Sequence, residues 1–182
     1  MDENFKTLHV YYKEFENYLL KNGILLAKDT GVGYWGVTHL PAAYSLFQKL
    51  ELQKCKKFLD LGSGDGRIAF LASLFAKEVH GIEFDQWLHE SAVHIQSEID
   101  LFPVKNVQLY NKDFRQHSIA DYDVVFVSPD KPFHRDGFNQ KIVRELQGKL
   151  IVHGWEFSPE GLRLEKEEII DGEKFRVYSN CE

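Results

Sequence analysis

Apolar positions recur every three or four residues over 4–21, where Phe5, Leu8, Tyr12, Phe15, Tyr18 and Leu19 fall on one side of a helix. Glycine and aromatic residues then crowd Asp29-Thr30-Gly31-Val32-Gly33-Tyr34-Trp35-Gly36, which reads as a loop. Thr38 as cap and Pro41 in the first turn predict another helix, completed by residues 42–50. From Lys57 the period changes. Short apolar runs at 57–61, 79–84, 107–110, 123–127 and 149–152 read as strands. Between them, helical spacing appears at 67–77 (Ile68, Leu71, Ala72, Phe75), at 86–101 (Leu88, Ala92, Ile95, Ile99) and at 138–146. Two further runs, 165–170 and 174–179, flank Asp171-Gly172 and predict a hairpin with a tight turn. Strand–helix alternation implies an α/β fold with a doubly wound, mostly parallel sheet of seven strands, closed by a C-terminal antiparallel hairpin. The expected organisation is one domain, with 1–56 as a helical cover and lead-in and 57–182 as the core.

Composition narrows the function classes. The 182 residues carry 22 Lys and Arg against 28 Asp and Glu, a formal charge of −6, with no basic run to track phosphates. That weighs against non-specific nucleic-acid binding and leaves a local basic groove open. Cys55 and Cys181 stand far apart without a CxxC partner, which fits a reducing compartment. The first residues are acidic and no apolar stretch approaches the ~20 residues of a membrane span, so a cytoplasmic protein is expected.

The chemistry is carried by Phe58-Leu59-Asp60-Leu61-Gly62-Ser63-Gly64-Asp65-Gly66-Arg67. Glycines at 62, 64 and 66 let the chain turn from strand to helix and let a ligand approach the backbone, beside a helix N-terminus with free N–H groups. A dinucleotide fingerprint needs its third glycine where Arg67 stands, so the turn suits a nucleoside without a pyrophosphate. Glu83, ending the next strand, offers a carboxylate to a ribose diol. After the third strand, Asp113 could accept from an adenine amino group while Phe114 packs on the ring.

These residues resemble the class I S-adenosylmethionine-dependent methyltransferases, from about Lys57 to the end of the chain. The resemblance implies S-adenosylmethionine as cofactor and assigns Asp60, Gly62, Gly64, Gly66, Glu83, Asp113 and Phe114 to its binding. It also implies that the end of the 123–127 strand faces the methyl group, and there the chain reads Ser128-Pro129-Asp130-Lys131-Pro132-Phe133. Ser128-Pro129 is similar to the start of the tetrad with which adenine and glutamine N-methyltransferases hold an amine, with Phe133 two positions late for the stacking ring. The metal-dependent catechol-type O-methyltransferases are similar in outline, but Ser128 replaces their first metal-binding Asp, and the stretch 153–156 lacks their paired Asp-Asn, so no metal is expected. The stretch from Leu150 to Phe157 before the closing hairpin is similar to small protein-lysine methyltransferases. The acceptor pocket is therefore expected at Ser128, Asp130 and Phe133, and the acceptor to be an amine such as a protein lysine. RNA or a small molecule is the alternative, and a non-catalytic S-adenosylmethionine-binding module is the alternative of another class. Arg67 and the hairpin argue against a nicotinamide oxidoreductase. The eight histidines read mainly as surface or core residues, with His134 and His153 of more interest because they follow strand ends. The Tyr34-Trp35 loop is expected to cover the cofactor.

Overall fold

In the computed structural model, which describes residues 2–31, 33–130 and 137–181, the chain opens with helix α1 (Glu3–Lys21) and a two-stranded antiparallel ribbon, β1 (Ala27–Asp29) and β2 (Tyr34–Gly36). Helix α2 (Leu40–Lys49) leads into β3 (Lys57–Leu61), α3 (Arg67–Ala72), β4 (Glu78–Glu83), α4 (Gln86–Glu98), α5 (Phe102–Lys105) and β5 (Gln108–Asn111). The second half runs β6 (Val124–Val127), α6 (Phe138–Glu145), β7 (Lys149–His153), β8 (Leu162–Ile170) and β9 (Glu173–Asn180). The main sheet has the order β5-β4-β3-β6-β7-β9-β8. Its first five strands are parallel, and β9 lies antiparallel between β7 and β8. This is the expected seven-stranded α/β sheet with its antiparallel closing hairpin.

The central strands read as unbroken apolar runs because both faces are covered. Phe58, Phe126, Ile151, Phe175 and Val177 join one core with α1, α2 and α3. Their neighbours Leu59, Val125, Leu150, Val152 and Tyr178 point the other way, into a core with Phe138, Ile142 and Leu146 of α6. Phe47 meets Phe58 and Phe126 edge-on at 5.6 and 6.3 Å, so α2 is seated on the middle of the sheet. Truncating a phenyl ring buried this fully costs about 3–5 kcal/mol. The charged stretch 165–168 lies on the edge strand β8, with Glu165 paired to Lys149 and Glu168 to Lys49. Charges of this kind protect an edge from pairing with another chain.

Local expectations fail where short-range bonds win. The 29–36 stretch contains a ribbon rather than a plain loop, since strands of three residues flanked by glycine are too short to show alternation. The 67–77 helix ends at Ala72, where the Ser73 hydroxyl turns back to bond the Phe70 carbonyl. The 86–101 helix ends at Glu98; Pro103 cannot continue it, and instead starts the short α5. Thr38 is not the cap of α2. His39 holds that position without a side-chain bond, while the buried Thr38 offers its carbonyl to Arg67.

Candidate functional site

Strand β3 is followed by connections to β4 and β5 on one side and faces β6 and β7 on the other, so a crevice opens where the loops after β3 and β6 part. Gly62 stands at its floor with φ +75°, and the place its Cβ would take is open space. The backbone is thus bare to a ligand, and any other residue would be strained there. Glu83 closes β4 beside this loop. Its carboxylate accepts from the Gly64 amide at 2.8 Å and from the Asp85 amide at 2.7 Å, which pins it facing the turn. Burial pushes its pKa up, and those backbone donors only partly offset the effect.

Asp60, near the end of β3, is 2% exposed, and its Oδ2 has no hydrogen-bond partner. Burial first, and then the charge of Glu83, raises this carboxyl well above the usual range. Asp60 lines the crevice while its unpartnered oxygen is buried behind the wall, and a cationic or N–H-bearing group close by would offset its unmet charge.

Two connected hollows make up the crevice. The larger, about 320 Å³, is lined by Asp60, Gly62, Ser63, Asp65, Phe126 and Ser128, among others. The smaller, about 90 Å³, has Glu83 at one end and the apolar walls Phe84, Leu88 and Phe114. Trp35 of the ribbon lines both. A Cβ on Gly64 would fall 2.5 Å from the Trp35 ring, so the indole can rest on the loop only because residue 64 is glycine. The ribbon also bridges the crevice. Lys28 pairs with Asp85 on one side, and the Tyr34 amide donates to Asp130 Oδ2 at 2.8 Å on the other.

Behind the loop, Arg67 is buried and donates bidentate hydrogen bonds to the Asp65 carboxylate, with Nη1 donating to Glu16 of α1 at 2.9 Å. The Tyr12 hydroxyl donates to the Asp65 carbonyl at 2.9 Å, and the Arg67 guanidinium lies over the Tyr12 ring at 4.8 Å. The first helix is therefore fastened to the glycine turn. This clamp left no periodic signal in the sequence, since it joins residues from separate elements.

Of the residues singled out from sequence, Asp60, Gly62, Gly64, Glu83, Phe114, Ser128 and Asp130 line the crevice, and Gly66 opens α3 behind it. Asp113 does not line either hollow. It accepts from the Arg115 amide at 2.9 Å and carries the Arg115 guanidinium on both oxygens, capping a short turn at 114–116. Phe133 lies outside the described residues. The structure brings His153, singled out from the sequence for following a strand end, to the crevice, and adds Glu173, which the sequence did not mark. Ser128 Oγ is 2.8 Å from Nδ1 of His153, and Nε2 of that ring is 2.7 Å from Glu173. Among the described residues no group of three or more His, Cys, Asp or Glu is placed to hold a metal ion, and no helix is long and apolar enough to cross a membrane.

A mostly parallel sheet with this hairpin, a glycine turn at the switch point and an acid ending the next strand define a class I S-adenosylmethionine-dependent methyltransferase. Residues 30–153 match the model of the histone methylation protein DOT1, and the chain belongs to the DOT1 family. Solved structures share the fold. An RNA methyltransferase from Salinibacter ruber, bound to S-adenosyl-L-homocysteine, is 20% identical over 80% of this chain and 95% of its own, with a TM-score of 0.65. The tRNA (uracil-54, C5)-methyltransferase of Pyrococcus abyssi, also with S-adenosyl-L-homocysteine, is 18% identical over 81% of this chain and 42% of its own (TM-score 0.62). The magnesium protoporphyrin IX methyltransferase of Synechocystis PCC 6803 is 12% identical over 78% and 80% (TM-score 0.60). No curated protein matches the chain.

Proposed function

We propose that the enzyme methylates an amine nitrogen, and that the acceptor is a lysine side chain of another protein. The observation that carries this reading is the acidity of the larger hollow. Asp60 and Asp130 line it without a cationic partner among the described residues, while Arg67, the guanidinium on its wall, is already neutralised by Asp65 and Glu16. Such a lining draws in a cationic side chain and repels a phosphate. The family's description as histone methylation proteins supports a protein acceptor as well.

In this reading Glu83 would hold the ribose diol, Phe84, Leu88 and Phe114 would enclose the adenine, and Asp60 would lie by the amino-acid end, beside the open backbone of Gly62. The donors and acceptors present thus fit the cofactor. When bound, it supplies a methyl group on a sulfonium, which the acceptor nitrogen takes with its lone pair as the carbon–sulfur electrons stay with sulfur. Ser128 and Asp130 stand on the hollow that receives the acceptor, and Phe126 and Pro129 give it apolar walls. Holding the nucleophile in position there supplies on the order of 7–11 kcal/mol of the barrier reduction.

The test is to incubate the enzyme and methyl-labelled cofactor with histones and, separately, with cell lysate. Label that is lost on protease digestion and recovered as methyl-lysine after acid hydrolysis is the expected result. Label that resists protease and disappears with nuclease would move the acceptor to RNA.

A further inference from the structure

An acidic pocket recruits a lysine but also keeps it protonated, since a neighbouring carboxylate favours the ammonium form and a free lysine ionises near pH 10.4. The nitrogen has no lone pair until a proton leaves. Asp60 and Asp130 cannot solve this by attraction alone, so a path for the proton is needed.

His153 ends β7 on the wall of the larger hollow. Its ring lies between those of Phe126 and Phe175, with centroids at 6.3 and 4.9 Å and planes within about 26°. Stacking on both faces leaves the ring nitrogens to work edge-on. Nδ1 meets Ser128 Oγ at 2.8 Å and Nε2 meets Glu173 at 2.7 Å. The two ends of this chain open to different places. Ser128 lines the crevice, whereas Glu173 lines a separate hollow of about 300 Å³ on the other side of the ring, together with His39, Asp171 and Glu16.

We propose that Ser128, His153 and Glu173 form a proton relay that deprotonates the methyl acceptor and delivers the proton to the second hollow, away from the cofactor. The acceptor N–H gives its proton to Ser128 Oγ as the serine passes its own to Nδ1 of His153. The ring, protonated at Nδ1, releases the Nε2 proton to the Glu173 carboxylate, which loses it to solvent. One N–H bond is broken, its electron pair stays on nitrogen, and one proton reaches water, so nothing is oxidised or reduced. The ring is left with its proton on Nδ1 and regains the Nε2 tautomer by proton exchange with solvent before the next turnover. The other ionisable groups lining the two hollows are Asp60, Asp65, Arg67 and Asp130 on the crevice side and His9, Lys13, Glu16, His39, Arg67 and Asp171 on the far side. Arg176 of β9 points elsewhere, to the Gly154 and Phe157 carbonyls. The relay rests on the amine reading only for the identity of the proton donor.

The direction of the chain requires a bare Nδ1 and a protonated Nε2. Nitrogen-15 spectra of the cofactor-free protein read this directly. The expected result is one tautomer with the proton on Nε2, and a mixture of both in Glu173→Gln. In kinetics with histones as acceptor, His153→Gln should lose at least tenfold in kcat near pH 7, with the loss shrinking toward pH 9.5, where solvent can deprotonate the amine. S-Adenosylhomocysteine binding should match the wild type even where loss of the stacked ring lowers the thermal midpoint, and Glu173→Gln should show the same kinetic trend more weakly. A proton on Nδ1 in the free protein, or a His153→Gln pH profile parallel to wild type, would overturn the relay. If histones take no label, the acceptor reading fails while the tautomer still decides the relay.

Discussion

At the end of the crevice proposed to hold the cofactor, Asp60, Gly62, Gly64 and Glu83 come from one strand–turn–helix–strand stretch, and the pinning bonds are made within it. At the acceptor end, Ser128, His153 and Glu173 come from three strands, and Asp130 is held by the N-terminal ribbon. The first end is local and carries buried acids whose charge the protein alone does not satisfy. The second is assembled by sheet order, and its polar groups already satisfy one another. Ligand binding therefore has most to offer at the first end, and chain topology has most to determine at the second.

The largest effect expected on this contrast is structural. Arg67→Met strips the partner from the buried Asp65, leaves Glu16 to Lys13 and loosens α1 on the glycine turn. Removing one member of a buried ionic cluster costs about 3–5 kcal/mol, which urea unfolding would register together with loss of cofactor affinity. If the variant unfolds like the wild type, the cofactor end does not depend on the clamp.

Asp60→Asn sharpens the contrast from the other side. The Asp60 carboxyl titrates above its ordinary 3.8 in the folded chain because of burial and then Glu83. Its contribution to stability is complete below that ordinary value and is lost as pH rises through the raised folded pKa. The amide avoids this loss. The ligand-free variant should be more stable than wild type at pH 7, on the order of 1 kcal/mol, and equal to it near pH 3.5. Cofactor affinity should fall at the same time. Equal melting curves at both pH values would show that Asp60 carries no unmet charge.

Asp130→Ala breaks the Tyr34–Asp130 hydrogen bond between the ribbon and the acceptor end, worth about 1 kcal/mol. Amide exchange at Tyr34 and Trp35 should quicken and the acceptor KM should rise, with S-adenosylhomocysteine affinity unchanged within about twofold. Exchange that stays slow would place the ribbon's anchorage at Lys28 and Asp85 alone. The smallest effect belongs to Asp113, whose carboxylate is occupied by Arg115. Asp113→Ala should weaken S-adenosylhomocysteine by no more than about threefold, as expected for loss of a neutral or indirect contact. A tenfold loss would return Asp113 to the adenine contact read from the sequence.

The same contrast explains what could be read without coordinates. Asp60, Gly62 and Glu83 were legible because a parallel βαβ unit fixes how far apart in sequence a turn and the next strand end must lie. The closing hairpin was legible from Asp171-Gly172, although β8 begins at Leu162, earlier than its charged residues indicate. The relay was not. His153 lies 25 residues after Ser128 and Glu173 a further 20 on, and only the order β6-β7-β9 brings them together. The Trp35 seat on Gly64 was hidden for a similar reason, because a ribbon of three-residue strands shows no alternation. Asp113 was read by its place after the third strand, but a partner two residues away captured it.

The central claim is that this crevice binds S-adenosylmethionine through Glu83 and the glycine turn. Calorimetry of S-adenosylhomocysteine on the wild type and on Glu83→Ala tests it most directly. The account predicts one site of about micromolar affinity, weakened at least about tenfold in the variant, as loss of charge-assisted hydrogen bonds requires. No heat of binding to the wild type, or the same affinity in both proteins, would contradict it.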